Sequence, residues 1–339
     1  MTLPDDRLTM TASRLSVVVV APSGMATIRR TLACLAAQTV AESIEVVVVA
    51  PTAAEIDAGA LGADVFAALR VVAVGPVRKR GEAAAVGVRA ATAPIVSLLE
   101  DHSYPEPGWA AALLAAHTDV HAGTRVGVGP AVENANAGPP LSRINFWLTY
   151  ASSSGPQAAG PRALLPWHNT SYRRDVLAAY GARLGGLLEW ESNLQDDLLA
   201  RGYELYFEPA ARTHHDNVSG FRSTLGLQFQ RGRFFGGQRA ARERWPAWRR
   251  VVYAASMPLF PLMQLRHVAP DLRRIGVGRS EFALLGPSLA VVLAAMAVGE
   301  AVGYVAGAGD APDRIETYEL HREAHLSRRE RREAAGQPR

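Results

Sequence analysis

The sequence predicts an α/β fold, in which a mainly parallel, mixed sheet is flanked by helices and followed by apolar and basic helices at the C-terminus. Four apolar, β-branched runs carry this prediction, at residues 15–21, 44–49, 69–74 and 94–99. Their apolar residues are continuous rather than alternating, which indicates strands that are covered on both faces. Because the order is β-α-β-α-β-α-β, helices are expected on each side of the sheet.

The ends of these runs predict where a ligand binds. The first run ends at residues 22–24 and is followed by apolar residues at helical spacing, and residues 81–91 form an Ala-rich helical pattern. In an α/β sheet, ligands bind at the carboxyl ends of the strands. We therefore expect a site where residues 22–23, 51–52 and 100–102 converge.

The pattern changes beyond residue 120. Stretches rich in Gly, Pro and Ser at 137–140 and 152–161 are typical of loops, which carry substrate contacts or are mobile. A helix is predicted over 191–200, with Gly202 as its stop. A short strand is predicted over 204–207, ended by Pro209.

The charge distribution excludes one class of partner. Residues 1–240 hold 21 basic and 21 acidic side chains, whereas residues 241–339 hold 15 basic and 11 acidic ones. The net charge of +4 therefore lies in the last 99 residues. A nucleic-acid-binding surface needs an excess of cations to neutralise phosphates, so we expect no nucleic-acid partner for the first segment.

Composition also bounds the class and the compartment. With 48% hydrophobic and 20% charged residues the chain is globular rather than disordered, and its length suffices for one or two cores. The single cysteine, Cys34, forbids an intrachain disulfide and fits a reducing compartment. Residues 1–14 contain no apolar run of signal-peptide length, so we expect the cytoplasmic side.

Two apolar segments near the C-terminus predict contact with membrane lipids. Residues 251–265 are short for a bilayer and contain two prolines, whereas residues 282–308 are long enough to span it but contain Glu300. Arginines flank both segments, and the positive-inside preference requires that both cross as a hairpin or that neither does. Two buried helices of a soluble domain are the alternative.

A compact polar group lies in residues 98–109 (LLEDHSYPEPGW). Glu100, Asp101 and His102 stand at the end of a buried strand, and residues 100 and 102 point the same way if strand geometry continues. Carboxylate oxygen and imidazole nitrogen can hold a divalent metal against a diphosphate. The alternative to a metal site, for an arbitrary Glu-Asp-His tripeptide, is an ordinary strand end whose polar side chains are solvated.

Several motifs, in order, resemble those of the bacterial family-2 inverting glycosyltransferases. SVVVVAPS at 16–23 with TLxxLxxQ at 31–38 is similar to the family's opening strand and helix, and Arg80-Gly81 is similar to the start of its third block. LLEDHSYPEPGW resembles the family's aspartate-x-aspartate strand end. LPWHNTSYRR at 165–174 resembles the block that shapes the donor-sugar and acceptor pocket.

The resemblance implies a fold and a domain order. Residues 15–240 are expected to form a GT-A domain, the fold that binds nucleotide sugars in this family. Residues 1–14 are then an N-terminal tail, residues 241–309 a membrane-associated helical segment, and residues 310–339 a charged C-terminal tail.

The resemblance also implies a divalent metal, Mn²⁺ or Mg²⁺, held by Glu100, His102 and His215, with contact to the ribose as the alternative for Glu100 and His102. His102 replaces an aspartate of the family, and imidazole, which is less hard than carboxylate, favours Mn²⁺. The alternative for the adjacent histidines 214–215 is that they lie on the surface and bind no metal. After the second strand the family has acids that bind the nucleotide base, whereas this chain has Ala50-Pro51-Thr52.

Glu191 falls where the family places its catalytic base, and a helix N-terminus favours the ionised carboxylate. Glu189, Asp196 and Asp197 are other candidates for the catalytic base. The alternative for Glu191 is that it is an ordinary acid in the first turn of a helix. Residues 230–234 (QRGRF) resemble the Gln-x-x-Arg-Trp element of processive members, with an interfacial basic helix as the alternative. The predicted donor-binding residues are Pro22, Ser23, Arg80, Glu100, Asp101, Asn169, Arg231 and Arg233.

The implied activity is transfer of a hexose from a UDP- or GDP-linked donor to a hydroxyl of a lipid-linked or glycan acceptor. The implied location is the cytoplasmic membrane, with the catalytic domain on the cytoplasmic side. A catalytically silent GT-A scaffold that binds partner enzymes at the membrane is the main alternative. A processive polysaccharide synthase needs more spanning helices than the sequence offers, and a soluble nucleotidyltransferase remains open on fold alone.

Overall fold

A computed structural model describes residues 13–57, 63–118, 123–328 and 330. The chain divides into two compact units, one of residues 1–131 and 158–213, the other of residues 132–157 and 214–339. The predicted GT-A domain of residues 15–240 stays a prediction, as do the segments 1–14, 241–309 and 310–339. Residues 1–12, 329 and 331–339 of the two predicted tails lie outside the described residues.

One sheet contains the strands of the described residues, in the order β3-β2-β1-β4-β8-β6-β9-β5, with β7 beside β9. Strands β1, β2, β3 and β4 form its parallel part, and β8 pairs antiparallel with both β4 and β6. The bounds are β1 Leu15–Val20, β2 Ile44–Ala50, β3 Ala68–Ala73, β4 Ile95–Leu99, β5 Ser103–Pro105, β6 Arg125–Asn134, β7 Gly160–Pro161, β8 Ser171–Arg173 and β9 Glu204–His215.

Helices account for most of the remaining chain. In chain order they are α1 Met25–Ala36, α2 Arg80–Ala90, α3 Trp109–Thr118, α4 Pro140–Thr149, α5 Arg174–Ala178, α6 Leu184–Glu189, α7 Glu191–Ala200, α8 Phe221–Arg242, α9 Ala247–Ser256, α10 Phe260–Arg274, α11 Arg279–Ala306 and α12 Ala311–Leu320. The helix predicted over 191–200 has these bounds in the structure.

Burial on both faces explains the continuous apolar runs. Val17 and Val19 of β1 pack with α1 and α3 in one cluster, whereas Val18 and Val20 pack with α2 and α5–α7 in the other. Side chains of a strand point alternately to the two faces, so every position of such a strand must be apolar. The predicted α/β fold, a mixed sheet flanked by helices, is confirmed; its parallel part consists of β1, β2, β3 and β4.

Parallel pairing brings the carboxyl ends of several strands to one edge of the sheet. Leu15 lies opposite both Ile44 of β2 and Ile95 of β4, so the three strands run in register in the same direction. The turn after β1, the segment after β2 and residues 100–102 therefore follow strands that end at the same edge.

The strand predicted over 204–207 is longer in the structure, where β9 continues through Pro209 to His215. Proline removes one ladder donor, but the side chains of Leu205, Phe207, Ala211 and Thr213, on both sides of Pro209 in the sequence, are all buried. Their burial sustains the strand past the proline. The prediction that Pro209 ends the strand was wrong.

Close helix packing characterises the second unit. A Cβ atom added to Gly299 or Gly303 of α11 would lie 2.0 Å from the Phe229 carbonyl oxygen or 2.2 Å from that of Arg233. Both carbonyls belong to α8, so these glycines let the two backbones approach. Residues 251–265 do not form one helix, because α9 ends at Ser256 and a short 3₁₀ turn precedes α10.

Candidate functional site

Glu100 directly follows β4, and its buried carboxylate is held on both sides. Arg80, the first residue of α2, donates from Nη1 to Glu100 Oε1 over 2.7 Å. Asn169 donates from Nδ2 to Glu100 Oε2 over 2.9 Å. Hydrogen bonds to charged groups are strong, so these two contacts fix the orientation of the carboxylate.

His102 lies beside this carboxylate. Its Nδ1 is 2.6 Å from Asp101 Oδ1, and its Nε2 is 3.9 Å from Glu100 Oε2. The Thr31 hydroxyl in turn donates to the Asp101 carbonyl over 2.7 Å. A carboxylate that accepts from one ring nitrogen leaves the other nitrogen as the ligand atom, which is the usual arrangement around metal-binding histidines.

His215 is the last residue of β9 and is buried. Glu100, His102 and His215 each offer one ligand atom, and these atoms lie within 4.8 Å of one another. One carboxylate oxygen and two imidazole nitrogens suit a divalent transition ion such as Mn²⁺. The three predicted ligands thus form a buried group that could hold a metal ion.

Residues 166–170 form a tight turn next to Glu100. His168 has a φ of 56°, a left-handed conformation that non-glycine residues seldom adopt. The Thr170 hydroxyl donates to the Pro166 carbonyl over 2.7 Å, which closes the turn. Among the described residues, the buried Oδ1 of Asn169 accepts no hydrogen bond, so a further polar group could be bound there.

Glu191, the first residue of α7, is fully buried, with 0% of its surface exposed. Its Oε2 accepts from the His168 backbone N–H, and its Oε1 accepts from the Tyr172 hydroxyl. Burial raises the pKa of Glu191 to about 7, although these two hydrogen bonds and the charge of Arg80 act in the opposite direction. The carboxyl group can therefore gain or lose a proton near neutral pH.

Tyr172 and Gln195 extend this network, and the sequence interpretation missed both. Gln195 donates from Nε2 to the Tyr172 hydroxyl over 3.0 Å and accepts from the Leu165 N–H over 2.9 Å. Gln195 follows Glu191 by four residues, which is the spacing of neighbours on one helix face. That spacing was the available sequence signal.

The other acids predicted as candidates for the catalytic base have contacts elsewhere. Glu189 accepts from the Gly81 N–H over 3.0 Å. Asp197 lies 2.6 Å from Arg201 Nε and accepts from the Tyr180 hydroxyl over 2.6 Å. Asp196 is exposed. The His168 N–H and the Tyr172 hydroxyl, which donate to Glu191, are therefore not the donors in these contacts of Glu189 and Asp197.

The turn between β1 and α1 contains Pro22 and the exposed Ser23, followed by Gly24 with a φ of 68°. A Cβ atom at Gly24 would lie 3.0 Å from Glu55 Cβ and 3.1 Å from Glu55 Oε2. Glu55 follows β2 by five residues and is exposed. An acid thus lies against this turn, although residues 50–52 contain none.

Arg231 and Arg233 belong to α8 of the second unit. Arg231 donates from Nη1 to the Thr149 hydroxyl over 3.0 Å, and its Nη2 is 3.5 Å from Glu319 Oε1. Arg233 forms an ion pair of 3.0 Å with Asp310. Their predicted contact with the donor diphosphate stays a prediction.

Comparison with known proteins gives structural matches alone. No protein-family model and no curated protein matches this sequence. The mannosyltransferase PcManGT from Pyrobaculum calidifontis, in complex with GDP-Man and Mn²⁺, aligns with a TM-score of 0.51 and 16% identity, over 88% of this chain and 87% of its own. GalNAc-T7 with UDP, GalNAc and Mn²⁺ aligns with a TM-score of 0.44 and 16% identity, over 60% of this chain and 43% of its own.

The likeness to PcManGT concerns the fold, since identity is low. Both the alignment over most of each chain and the single mixed sheet of this chain support that likeness. The chain therefore has the GT-A fold, as the sequence predicts.

Proposed function

We propose that the chain is an inverting glycosyltransferase of the family-2 type, which transfers a hexose from a nucleotide sugar to an acceptor hydroxyl. One observation carries this proposal: adjacent residues of a single turn bind the two carboxylates that such a reaction needs. Asn169 donates to Glu100, the candidate metal ligand, and the His168 N–H donates to Glu191, the candidate base. The turn thus contacts both the candidate metal ligand Glu100 and the candidate base Glu191, which supports the proposal.

The proposed reaction is a single displacement. The acceptor oxygen forms a bond to the anomeric carbon, and the bond from that carbon to the diphosphate oxygen breaks. The nucleoside diphosphate leaves with the bonding electron pair. The Glu191 carboxylate takes the proton of the acceptor hydroxyl, and its pKa of about 7 suits this role near neutral pH.

The proposed cofactor is Mn²⁺, with Mg²⁺ as the other candidate, bound by Glu100, His102 and His215. When bound, such an ion supplies positive charge that stabilises the departing diphosphate. Arg80 orients Glu100, and Asp101 orients His102, so both residues support the ligands. The Mn²⁺ in PcManGT, a protein of the same fold, supports this assignment.

The proposed donor is a UDP- or GDP-linked sugar. Pro22 and Ser23 are proposed to line its nucleoside part, with Glu55 as the acid that accepts from ribose or base. Asn169 is proposed to bind the sugar through its unpaired Oδ1. Arg231 and Arg233 are proposed contacts of the diphosphate.

The proposed acceptor is lipid-linked or a growing glycan, and the proposed place is the cytoplasmic face of a bacterial membrane. One feature supports this location: the last 99 residues hold the whole excess of positive charge.

Release of nucleoside diphosphate from a panel of UDP- and GDP-sugars, with Mn²⁺ and lipid-linked or glycan acceptors, tests the proposal. The Glu191→Gln variant is expected to lose about 100-fold or more in kcat. The Asp196→Asn variant, a change of an exposed acid on the same helix, is the matched control and is expected to keep activity. No turnover with any donor, or equal turnover by Glu191→Gln, would contradict the proposal.

A catalytically silent scaffold is the second candidate, and one observation favours it. Glu191 is fully buried, and both of its oxygens accept hydrogen bonds from the turn and from Tyr172. A carboxylate that only holds the turn would have these same contacts. Absence of donor-dependent thermal stabilisation in Mn²⁺, together with stable co-purification of a partner enzyme, would support the scaffold.

A further inference from the structure

Large apolar side chains are exposed on α9, on the 3₁₀ turn that follows it and on α10. Six of them, each 56–70% exposed, form what we term the apolar patch: Trp248, Val251, Val252, Leu259, Leu262 and Met263. In α9 they recur at positions i, i+3 and i+4, which places them on one helix face. The opposite face of α9 is the packed one, since Tyr253 contacts Trp245 and Tyr304.

Charge around the patch is strongly one-sided. Between residues 241 and 306 the acids are Glu243, Asp271, Glu281 and Glu300, and each forms an ion pair with an arginine. By contrast, five exposed arginines of the same region take part in no ion pair among the described residues: Arg242, Arg244, Arg266, Arg273 and Arg279. The charge of residues 241–306 that these ion pairs leave unbalanced is therefore positive.

An apolar surface bordered by unpaired cations matches one partner in particular. The lipid surface of an anionic membrane offers hydrocarbon for the apolar side chains and phosphates for the guanidinium groups. Tryptophan at the edge of such a patch is typical of membrane interfaces. A second copy of the same chain would bring equal cations together, which opposes self-association.

The contacts of α11 argue against a spanning arrangement. Among the described residues α11 passes the length and composition test for a span, with 33% of its most apolar window buried. Its inner face packs on α8, which carries five arginines, and Glu300 pairs with Arg239 of α8 over 2.9 Å. If α11 crossed a bilayer, α8 and its charges would enter the hydrocarbon, which is costly.

We infer that the second unit binds an anionic membrane in the plane of its surface, through the apolar patch and the five exposed arginines named above, without a spanning helix. The patch enters the lipid interface, and the arginines contact lipid phosphates. This inference extends the proposed location and is independent of glycosyl transfer, because lipid binding requires neither donor nor metal.

Flotation of the full-length protein with vesicles tests the inference. The vesicles are phosphatidylcholine alone or phosphatidylcholine with phosphatidylglycerol, and binding is expected only to the anionic ones. The double variant Arg266→Glu/Arg273→Glu is expected to bind roughly 25-fold more weakly, at about fivefold per arginine. The double variant Trp248→Ser/Leu262→Ser is expected to bind at least roughly tenfold more weakly than the wild type.

Matched controls lie in the first unit. Leu164→Ser removes a side chain that is 54% exposed, and Arg29→Glu reverses an exposed arginine, and both are expected to bind like the wild type. The substitutions in the second unit are also at exposed positions, so circular dichroism is expected to show unchanged folding.

Four results would overturn the inference. The first is equal binding to neutral and anionic vesicles, and the second is wild-type binding by both double variants. The third is retention in native membranes after alkaline carbonate, which indicates a spanning helix, whereas release supports in-plane binding. A change of oligomeric state in Trp248→Ser/Leu262→Ser without a change in vesicle binding would assign the patch to a second copy and also overturn it.

Discussion

The Tyr172 hydroxyl donates a hydrogen bond to Oε1 of Glu191, and both side chains are fully buried in the first unit. Burial and the neighbouring carboxylate raise the pKa of Tyr172 far above its ordinary value, so the phenol stays protonated and remains a donor. Glu191 instead titrates near neutral pH, since its pKa is raised to about 7. Protonation of Glu191 is therefore linked to the folding equilibrium.

Stability is expected to fall as the pH rises through this range. The folded pKa of Glu191, about 7, lies above the ordinary value of 4.5, so between these values the folded state holds a proton that the unfolded state has released. The free energy of unfolding is thus expected to drop by about 2–3 kcal/mol between pH 5 and pH 8 from this group.

Denaturant unfolding of Glu191→Gln at several pH values measures this contribution. Glutamine cannot ionise, so the difference between the two proteins should move in favour of the variant as the pH rises. Asp196→Asn, an exposed change on the same helix, should keep the wild-type pH dependence. A difference that stays constant from pH 5 to pH 8 would show that Glu191 has an ordinary pKa.

The sequence predicts the parallel part of the sheet well because local physics determines it. Val17 and Val18 point to opposite covered faces, so their strand must be apolar throughout, and such a run is visible without any tertiary information. Pro209 was misleading because cross-strand burial, which is a tertiary effect, sustains β9 beyond it.

The residues of the candidate site also differ in whether the sequence alone predicts their proximity. Glu100, Asp101 and His102 are adjacent in sequence at a strand end, so their proximity could be predicted. The contact of Tyr172 with Glu191 and the position of Glu55 against Gly24 depend on how separate elements pack. No pattern within either segment encodes those distances, and only the folded chain reveals them.

Gly81 is expected to be intolerant of a side chain. A Cβ atom there would lie 2.3 Å from the Glu189 backbone nitrogen and 2.5 Å from the Gly185 carbonyl oxygen, so α2 and α6 would have to separate. Gly81→Ala is therefore expected to lower the free energy of unfolding by about 1–3 kcal/mol.

Gly186 provides the control for that substitution. It lies in α6, one residue after Gly185, and a Cβ atom there would meet no atom within 4 Å. Gly186→Ala is expected to be neutral or to stabilise by up to about 1 kcal/mol, because alanine is the better helix former. Thermal unfolding of both variants checks this, and equal behaviour would contradict the close approach of α2 and α6.

Glu55 is expected to contribute to nucleotide binding. Its carboxylate lies against the turn after β1, where it could accept hydrogen bonds from ribose hydroxyls or a base N–H. Glu55→Gln is expected to weaken binding of UDP or GDP about tenfold, because hydrogen bonds to a charged acceptor are stronger than those to an amide. Calorimetric titration in Mn²⁺ measures this, with Asp64→Asn as an exposed control; an unchanged Kd for Glu55→Gln would remove Glu55 from the site.

His102 is expected to set the metal preference. Its imidazole is a softer ligand than carboxylate, so the group of Glu100, His102 and His215 should favour Mn²⁺ over Mg²⁺. His102→Asp supplies a hard oxygen ligand instead, and we expect the ratio of Mg²⁺ to Mn²⁺ affinity to rise by about tenfold or more. Electron paramagnetic resonance of free Mn²⁺, with Mg²⁺ as the competitor, measures both affinities without any substrate.

The Asp101→Asn variant changes the contact that orients His102 but leaves His102 itself as the metal ligand. The variant keeps an oxygen that can accept from His102 Nδ1 but loses the charge that orients and polarises the ring. Metal affinity is therefore expected to fall about 10-fold or more while the preference for Mn²⁺ is retained. If His102→Asp left the ratio unchanged, or if Asp101→Asn shifted it equally, the metal would not contact His102, and the ligand set would have to be sought elsewhere.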